Sequence, residues 1–495
     1  MTIATALPAA VVVSALLVSL GAAEVYAAPS PPPRSIANGP LTLVPAGRDG
    51  TIFVEGLHSY FGALEVEAHA DGLALTNRIP LERYLLGLQE VPLGWPREAL
   101  RAQAVAARTY VLWGLARPPA GAASIYGFDI CASDECQVFS GADVAAQPDG
   151  AAWKDAVAST RGVAVLYAGE PILARYHSTS GGRTFDNALV FEDEPAYLYL
   201  RSVRSDTEGA SPLYRWEVVF RLPDLQRMLE RAGWWTRQDG RLKEVSTSRD
   251  ARLYDPDVVL RGGGRPTGGA RAATKRYSAG DLRELLGRLA PRLRPALYPS
   301  PAPTVSGRLP ETLPSERFEV ATGDGMVLVR GSGWGHGVGL SQWGAYGLAS
   351  NGGSYESILK HYYTGTTVGP APELGEVEVG LDWGRDSYRV EGSFDILGAR
   401  GQTVVKGATK VWSLSLSAQG GITVRNHKGV VLEGAEPGPP RSPAKAGPLD
   451  PASGRGGAGG DGAPAVLLAV VAACLATVAL FVVADRMGSW PRRRR

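Results

Sequence analysis

Pro80 and Pro96, each followed two positions on by a glutamate, constrain this chain more than any other feature. The locked backbone of proline suits the first residue of a helix, and Glu82 and Glu98 then face the positive helix end, so a helix is predicted to start at each proline. The first must stop near Val91, because the residue before Pro92 is pushed out of the helical region. Glu90 is thereby placed on a last helical turn among Leu86, Leu88, Val91, Leu93 and Trp95. There the negative end of the dipole and the loss of water both favour the protonated carboxyl. Such a group can act as a general acid near neutral pH. The plainer reading of the same spacing is a solvated glutamate at a helix end.

The second helix, Pro96 to about Leu115, carries Leu100, Ala104, Ala107 and Val111 on one stripe, the face expected to meet a sheet. Arg101 and Arg108 lie on one flank, Gln103 and Tyr110 on the other. For Arg108 two readings stand: a structural salt bridge, or a contact to Glu90 or to a sugar. Upstream, the alternation in Leu64-Glu65-Val66-Glu67-Ala68 and the turn at Asp71-Gly72 predict a hairpin leading into the first helix. Downstream, a helix over 153–161 passes into a strand over 162–167, and a second strand over 172–176 empties into His177-Ser178-Thr179-Ser180-Gly181-Gly182. That run offers hydroxyls and open amides suited to sugar hydroxyls, or is an ordinary Ser/Gly turn. Leu222 to Ala232 and Ala279 to Leu289 read as amphipathic helices, and Tyr355 to Tyr363 as a closing helix.

Gly331, Gly333, Gly335, Gly337 and Gly339 alternate, so an extended stretch would be bare on one face and carry Ser332, Trp334, His336, Val338 and Leu340 on the other. The bare face would admit another backbone or a glycan. No triplet here fits a dinucleotide-binding glycine pattern. His336, alone in its block, is either a packing residue or a group that binds substrate or handles a proton.

Four blocks run in register. They are Pro80-Leu81-Glu82 through Tyr84-Leu85, Gly87, Glu90, Pro92, Trp95-Pro96 and Glu98 to Tyr110; Cys136-Gln137-Val138-Phe139-Ser140-Gly141; Tyr176 to Gly182; and Gly333 to Ala345, which includes Ser341 and Gln342. Together they resemble the sporulation stage II protein D family, which also contains the amidase-enhancer proteins. The resemblance covers roughly residues 50–370, with a shorter segment between Gly87 and the acid than many members have. It implies a lytic transglycosylase that cuts bacterial peptidoglycan glycan strands, with Glu90 as the catalytic acid. Arg108, Gln103, Tyr110, Tyr176, Ser178, Ser180, His336, Ser341 and Gln342 are then candidates to contact or orient glycan. The alternative is an amidase enhancer or wall-binding protein that uses the same fold without cutting and has a cell-wall amidase as partner.

A glycosidase that hydrolyses needs two carboxylates across the scissile bond. A lytic transglycosylase needs one, because the C6 hydroxyl of the muramic acid is the nucleophile. The matched blocks contain a single strongly placed acid, no nucleophile–base pair and no metal-ligand cluster, so neither cofactor nor metal is expected.

The ends predict an exported, anchored protein: a signal peptide over 1–27, an apolar span over 465–484 of about bilayer length, and a basic tail over 485–495 that sets the body outside. The tail holds five Arg and one Asp, a net +4 of the chain's +2, which leaves −2 for the rest and no electrostatic footprint for nucleic acid. Cys474 falls in the span. Cys131 and Cys136 remain as an outside pair, open to a disulfide, to zinc ligation or to free thiols. The expected fold is α+β: a mixed sheet-and-helix catalytic core with a substrate groove over 45–370, a small β-rich module over 373–435, a Gly/Pro linker over 436–464, and the single membrane helix.

Overall fold

The computed structural model describes residues 40–429 apart from 249–253, 264–272, 300–302, 305–306, 373–374 and 418–420. The expected signal peptide, linker, membrane span and basic tail lie outside the described residues.

Helices and strands mix as the α+β expectation requires. The largest sheet has ten strands. Its path runs Ile422–Asn426, Thr403–Leu416, Ser387–Leu397, Leu41–Pro45, Ala63–His69, Gly72–Pro80, Glu376–Arg385 and Ile130–Cys131. The predicted hairpin is present, with Ala63 opposite Arg78 and His69 opposite Gly72. The strands after residue 373 do not form a module of their own. Glu376–Arg385 pairs antiparallel with Gly72–Pro80, and Ser387–Leu397 with Leu41–Pro45, so both ends of the described chain share one sheet and one hydrophobic core.

Helix Arg97–Leu115 lies across that core. Its predicted stripe, Leu100, Ala104, Ala107 and Val111, is buried against the sheet residues. The opposite face, Ala102, Val105 and Ala106, is buried as well, against Val165, Leu173, Val338, Leu340 and the helix Tyr355–Tyr362. Alanine on both faces lets two layers approach the helix axis closely, which explains a helix so poor in large side chains. Beneath it, Trp153 of helix Gly150–Ser159 is fully buried and donates its indole N–H to the Leu85 carbonyl at 2.8 Å. Burial of one such side chain contributes about 1.5–3 kcal/mol.

Residues 213–331 build a second core. Strands Trp216–Arg221, Met326–Gly331 and Phe318–Gly323 form one small sheet, and Arg241–Thr247, Asp257–Gly263 and Thr274–Ser278 another. Helices Leu222–Arg231 and Ala279–Leu293, both anticipated from their periodicity, bury their apolar faces in this core.

Two local expectations need correction. The first helix is short: one turn, Leu81–Tyr84, and a 3-10 turn, Leu85–Gly87. Glu90 therefore lies beyond the helix and gains nothing from its dipole. The alternating glycines do not form an extended strand either. Gly333, Gly335, Gly337 and Gly339 all have positive φ, between 73° and 89°, so the chain zigzags. The close backbone approach does hold. A Cβ on Gly333 would stand 2.5 Å from the Thr179 carbonyl oxygen. Trp334 and Thr179 exchange backbone hydrogen bonds at 2.8 and 3.2 Å, and Leu340–Ser341 runs parallel to Tyr176–His177.

Candidate active site

Glu90 sits in the irregular segment between the Leu85–Gly87 turn and the Arg97–Leu115 helix, half-buried. Its neighbours Leu88, Val91, Leu93 and Trp95 are all buried in the main core. Residues 138–140 run antiparallel beside it: Gln89 donates to the Val138 carbonyl at 3.0 Å, Ser140 to that of Gly87 at 2.8 Å, and Leu88 bridges Phe139. The Val138 amide turns to the side chain and donates to Glu90 Oε1 at 2.7 Å. The Tyr176 hydroxyl donates to the same oxygen at 2.9 Å.

Loss of water on burial is the main influence on this carboxyl and pushes its pKa up to about 7. Hydrogen bonds from Val138, Tyr176 and the Gln342 side chain pull the other way, while the negative charge of Asp134 adds to the rise. The raised affinity expected from the sequence is present, but desolvation carries it and the helix dipole does not. Around neutral pH the group can both give and take a proton. Tyr84, Tyr110 and Tyr176, three phenols within electrostatic reach of Glu90, are all raised above their ordinary value, chiefly by burial, and stay neutral.

The other candidates divide. Tyr176 and Gln342 meet Glu90 directly. Gln103 stands behind Gln342, whose amide reaches its Oε1 at 3.5 Å. Tyr110 packs between the two cores flanking the long helix and makes no hydrogen bond to the acid. Ser178 is half-buried, and its carbonyl accepts the Trp343 amide at 3.0 Å, next to Gln342.

Four residues are engaged elsewhere. Arg108 is fully buried and grips Glu82 with two hydrogen bonds of 2.8 and 2.9 Å, while a third reaches the Val163 carbonyl at 3.2 Å. It is the structural salt bridge and contacts neither Glu90 nor solvent. Ser180 gives its hydroxyl to buried Glu208, which also receives the backbone amides of Ser180, Gly181 and Gly182. That carboxylate accounts for the open amides of the Ser/Gly run. Ser341 caps the helix Gln342–Ser350 by accepting the Gly344 amide at 3.2 Å. His336 bonds through both ring nitrogens, Nε2 to the Tyr176 carbonyl at 3.0 Å and Nδ1 to the Val338 amide at 3.1 Å. The carbonyl requires the proton on Nε2 and the amide requires a bare Nδ1. Burial, with His177 and Arg175 nearby, holds the pKa well below its ordinary value, so the ring is neutral and supports the strand that carries Tyr176.

Cys131 and Cys136 are joined as a disulfide, so neither sulfur is a free ligand. Among the described residues no three His, Cys, Asp or Glu side chains gather as a metal site would require. An open hollow of about 430 Å³ is lined by Glu98, Arg101, Ser354, Tyr355 and Glu356 among others, but not by Glu90, and does not correspond to the expected groove.

Sequence reasoning missed the Val138 amide and Asp134, because neither a backbone N–H nor a long-range field leaves a residue pattern. It also missed an aromatic cluster. Trp95 packs against Trp343 and Tyr346 with ring centroids 4.9 and 5.2 Å away. The three-residue spacing of Trp343 and Tyr346 on one helix was the available signal.

The α+β frame thus holds one carboxyl, Glu90, whose affinity for its proton is raised by burial and whose Oε1 accepts two hydrogen bonds. A family profile described as Stage II sporulation protein matches residues 69–167, which include Glu90, the long helix and the disulfide loop. Stage II sporulation protein D of Bacillus amyloliquefaciens is 30% identical over 319 residues, 60% of this chain and 76% of that protein. Its counterpart in Bacillus subtilis (strain 168) is 30% identical over 304 residues, with the same coverage of 60% and 76%. The amidase enhancer of Bacillus subtilis is 29% identical over 310 residues, 56% of this chain and 39% of that protein. The chain belongs to the Stage II sporulation protein D family.

Proposed function

We propose that this protein is a peptidoglycan lytic transglycosylase in which Glu90 is both acid and base, acting on glycan strands outside the cell in wall remodelling or a sporulation-like process. The observation that carries the reading is the Glu90 carboxyl itself, with a pKa near 7 and two donors on one oxygen. With two donors on Oε1, we assign the transferable proton to Oε2. Protonated Glu90 gives that proton to the glycosidic oxygen as the anomeric C–O bond breaks and its electron pair goes to the leaving sugar. The carboxylate that remains is stabilised by Val138 N–H and Tyr176 O–H. It then accepts the proton of the muramic C6 hydroxyl as that oxygen bonds the anomeric carbon, closing a 1,6-anhydro ring. Glu90 ends protonated, and no water is consumed. Ser178 and Gln342 are the candidates to contact the sugar beside it, in a groove passing Tyr176, and the 465–484 segment is the proposed membrane anchor.

The likeness to an amidase enhancer supports a second reading, in which the same surface binds wall or a partner amidase without cutting. Incubation of the protein with stem-peptide-free glycan strands, followed by mass spectrometry of the products, separates the two. New anhydro-muramic ends support the transglycosylase; reducing ends point to hydrolysis, and unchanged strands to the binding role.

A further inference from the structure

The block Cys136 to Gly141 places a glutamine, Gln137, in the middle of the core with no exposure at all. Both arms of its amide are bonded. The Tyr84 hydroxyl donates to its Oε1 at 2.8 Å, and its Nε2 donates to the Ala107 carbonyl at 3.2 Å. One anchor is the end of the Leu81–Tyr84 turn, the other the middle of the Arg97–Leu115 helix, so the side chain ties together the two elements that flank the Glu90 segment. The next residue is Val138, whose amide reaches Glu90 Oε1 at 2.7 Å.

A buried amide with one bond per arm contributes little net stability, and an apolar replacement of it together with its partner is close to neutral. A Met at 137 with Phe at 84 would fill the same space. Backbone bonds to Gly87 and Gln89 set the register of residues 138–140; what the apolar pair loses is the directional tie of residue 137 to residue 84 and to the Ala107 carbonyl. With one donor arm and one acceptor arm, the side-chain amide fixes the twist of the segment where it enters residue 138, and so where the Val138 N–H points.

We propose that Gln137 is a positioning residue for Glu90: anchored to Tyr84 and to Ala107, it holds the Val138 amide on the carboxylate that forms when Glu90 has given up its proton. The role rests on the reading of Glu90 as the acid. It acts on the state between the two proton transfers, so its loss lowers kcat and leaves glycan affinity, read as KM, in place. Loss of a hydrogen bond to a charged acceptor also makes the carboxyl hold its proton to higher pH, by about one pH unit.

The test uses the full-length protein as wild type, as the Tyr84→Phe, Gln137→Met double variant, and as Tyr84→Phe alone. Carboxyl-labelled glutamate allows the Glu90 resonance to be followed by NMR through a pH titration, identified by its absence in Glu90→Gln. Cutting of stem-peptide-free glycan is measured over the same pH range. The double variant is expected to unfold near the wild-type midpoint and to titrate at Glu90 about one pH unit higher, with kcat down about tenfold and KM unchanged. Tyr84→Phe, which removes one anchor and keeps the amide, moves the titration less and in the same direction. A folded double variant with wild-type Glu90 titration overturns the proposal; so does wild-type titration in Tyr84→Phe if the double variant does not fold. The titration decides independently of cutting: a shifted Glu90 in a protein that cuts nothing keeps Gln137 as the positioner and removes the acid reading alone.

Discussion

Replacing Glu90 by Gln should make the protein more stable above neutral pH and change little in acid. In the unfolded chain a glutamate titrates near 4.5, whereas folding raises Glu90 to about 7. Below the lower value both states bind the proton and the residue is indifferent to pH. Between the two values the unfolded chain releases its proton while the folded protein keeps it, so stability falls as pH rises. Above the higher value the full penalty is present. At about 1.36 kcal/mol per unit of pKa the span sets a ceiling of about 3 kcal/mol. Partial access of Glu90 to water screens the penalty and reduces it to about 1–2 kcal/mol. The glutamine cannot ionise, keeps the volume, and can present its carbonyl oxygen to Val138 and Tyr176. Urea unfolding of both proteins at pH 4 and pH 8 reads the difference. The variant should match the wild type at pH 4 and exceed it at pH 8. An equal difference at both values, or a variant weaker at pH 8, would show that folding does not raise the Glu90 pKa and would refute desolvation as its governing influence.

Tyr176→Phe removes the hydroxyl 2.9 Å from the acid and should lower the cutting rate about tenfold or more, with the alkaline fall of the pH–rate profile moved upward. Arg108→Met leaves Glu82 without its partner and should cost about 3–5 kcal/mol in urea unfolding, while any protein that remains folded keeps its KM for glycan. Cys131→Ser with Cys136→Ser opens a short loop and should cost about 2 kcal/mol; intact mass before and after reduction and alkylation verifies the bond in the parent protein.

What the sequence reveals depends on how locally each feature is encoded. The helix Arg97–Leu115 and its buried stripe follow from a periodicity within a single segment. Glu90 stands out because two prolines bracket it. Its place beyond the helix does not, since a 3-10 turn at Leu85–Gly87 satisfies the same residues that would extend an α-helix. The glycine block misleads for a related reason: alternate glycines in a zigzag of positive φ have the same spacing as a strand with one bare face. Pairing of Glu376–Arg385 with Gly72–Pro80 joins segments about 300 residues apart, and neither carries a local mark of its partner. Among the site candidates, hydroxyl and charged residues were recognisable as chemically able. Whether Ser180 or Arg108 faces a sugar or a buried partner was decided by Glu208 and Glu82, whose positions only the fold determines.

The most direct test of Glu90 as a lone acid–base is to let the protein cut stem-peptide-free glycan in water enriched in heavy oxygen. Intramolecular attack by the C6 hydroxyl takes no oxygen from solvent, so every new muramic end should be anhydro, unlabelled, and absent when Glu90 is replaced by Gln. Heavy oxygen at the new ends would mean that water is the nucleophile, and unlabelled anhydro ends at an undiminished rate from Glu90→Gln would mean that the proton comes from another residue.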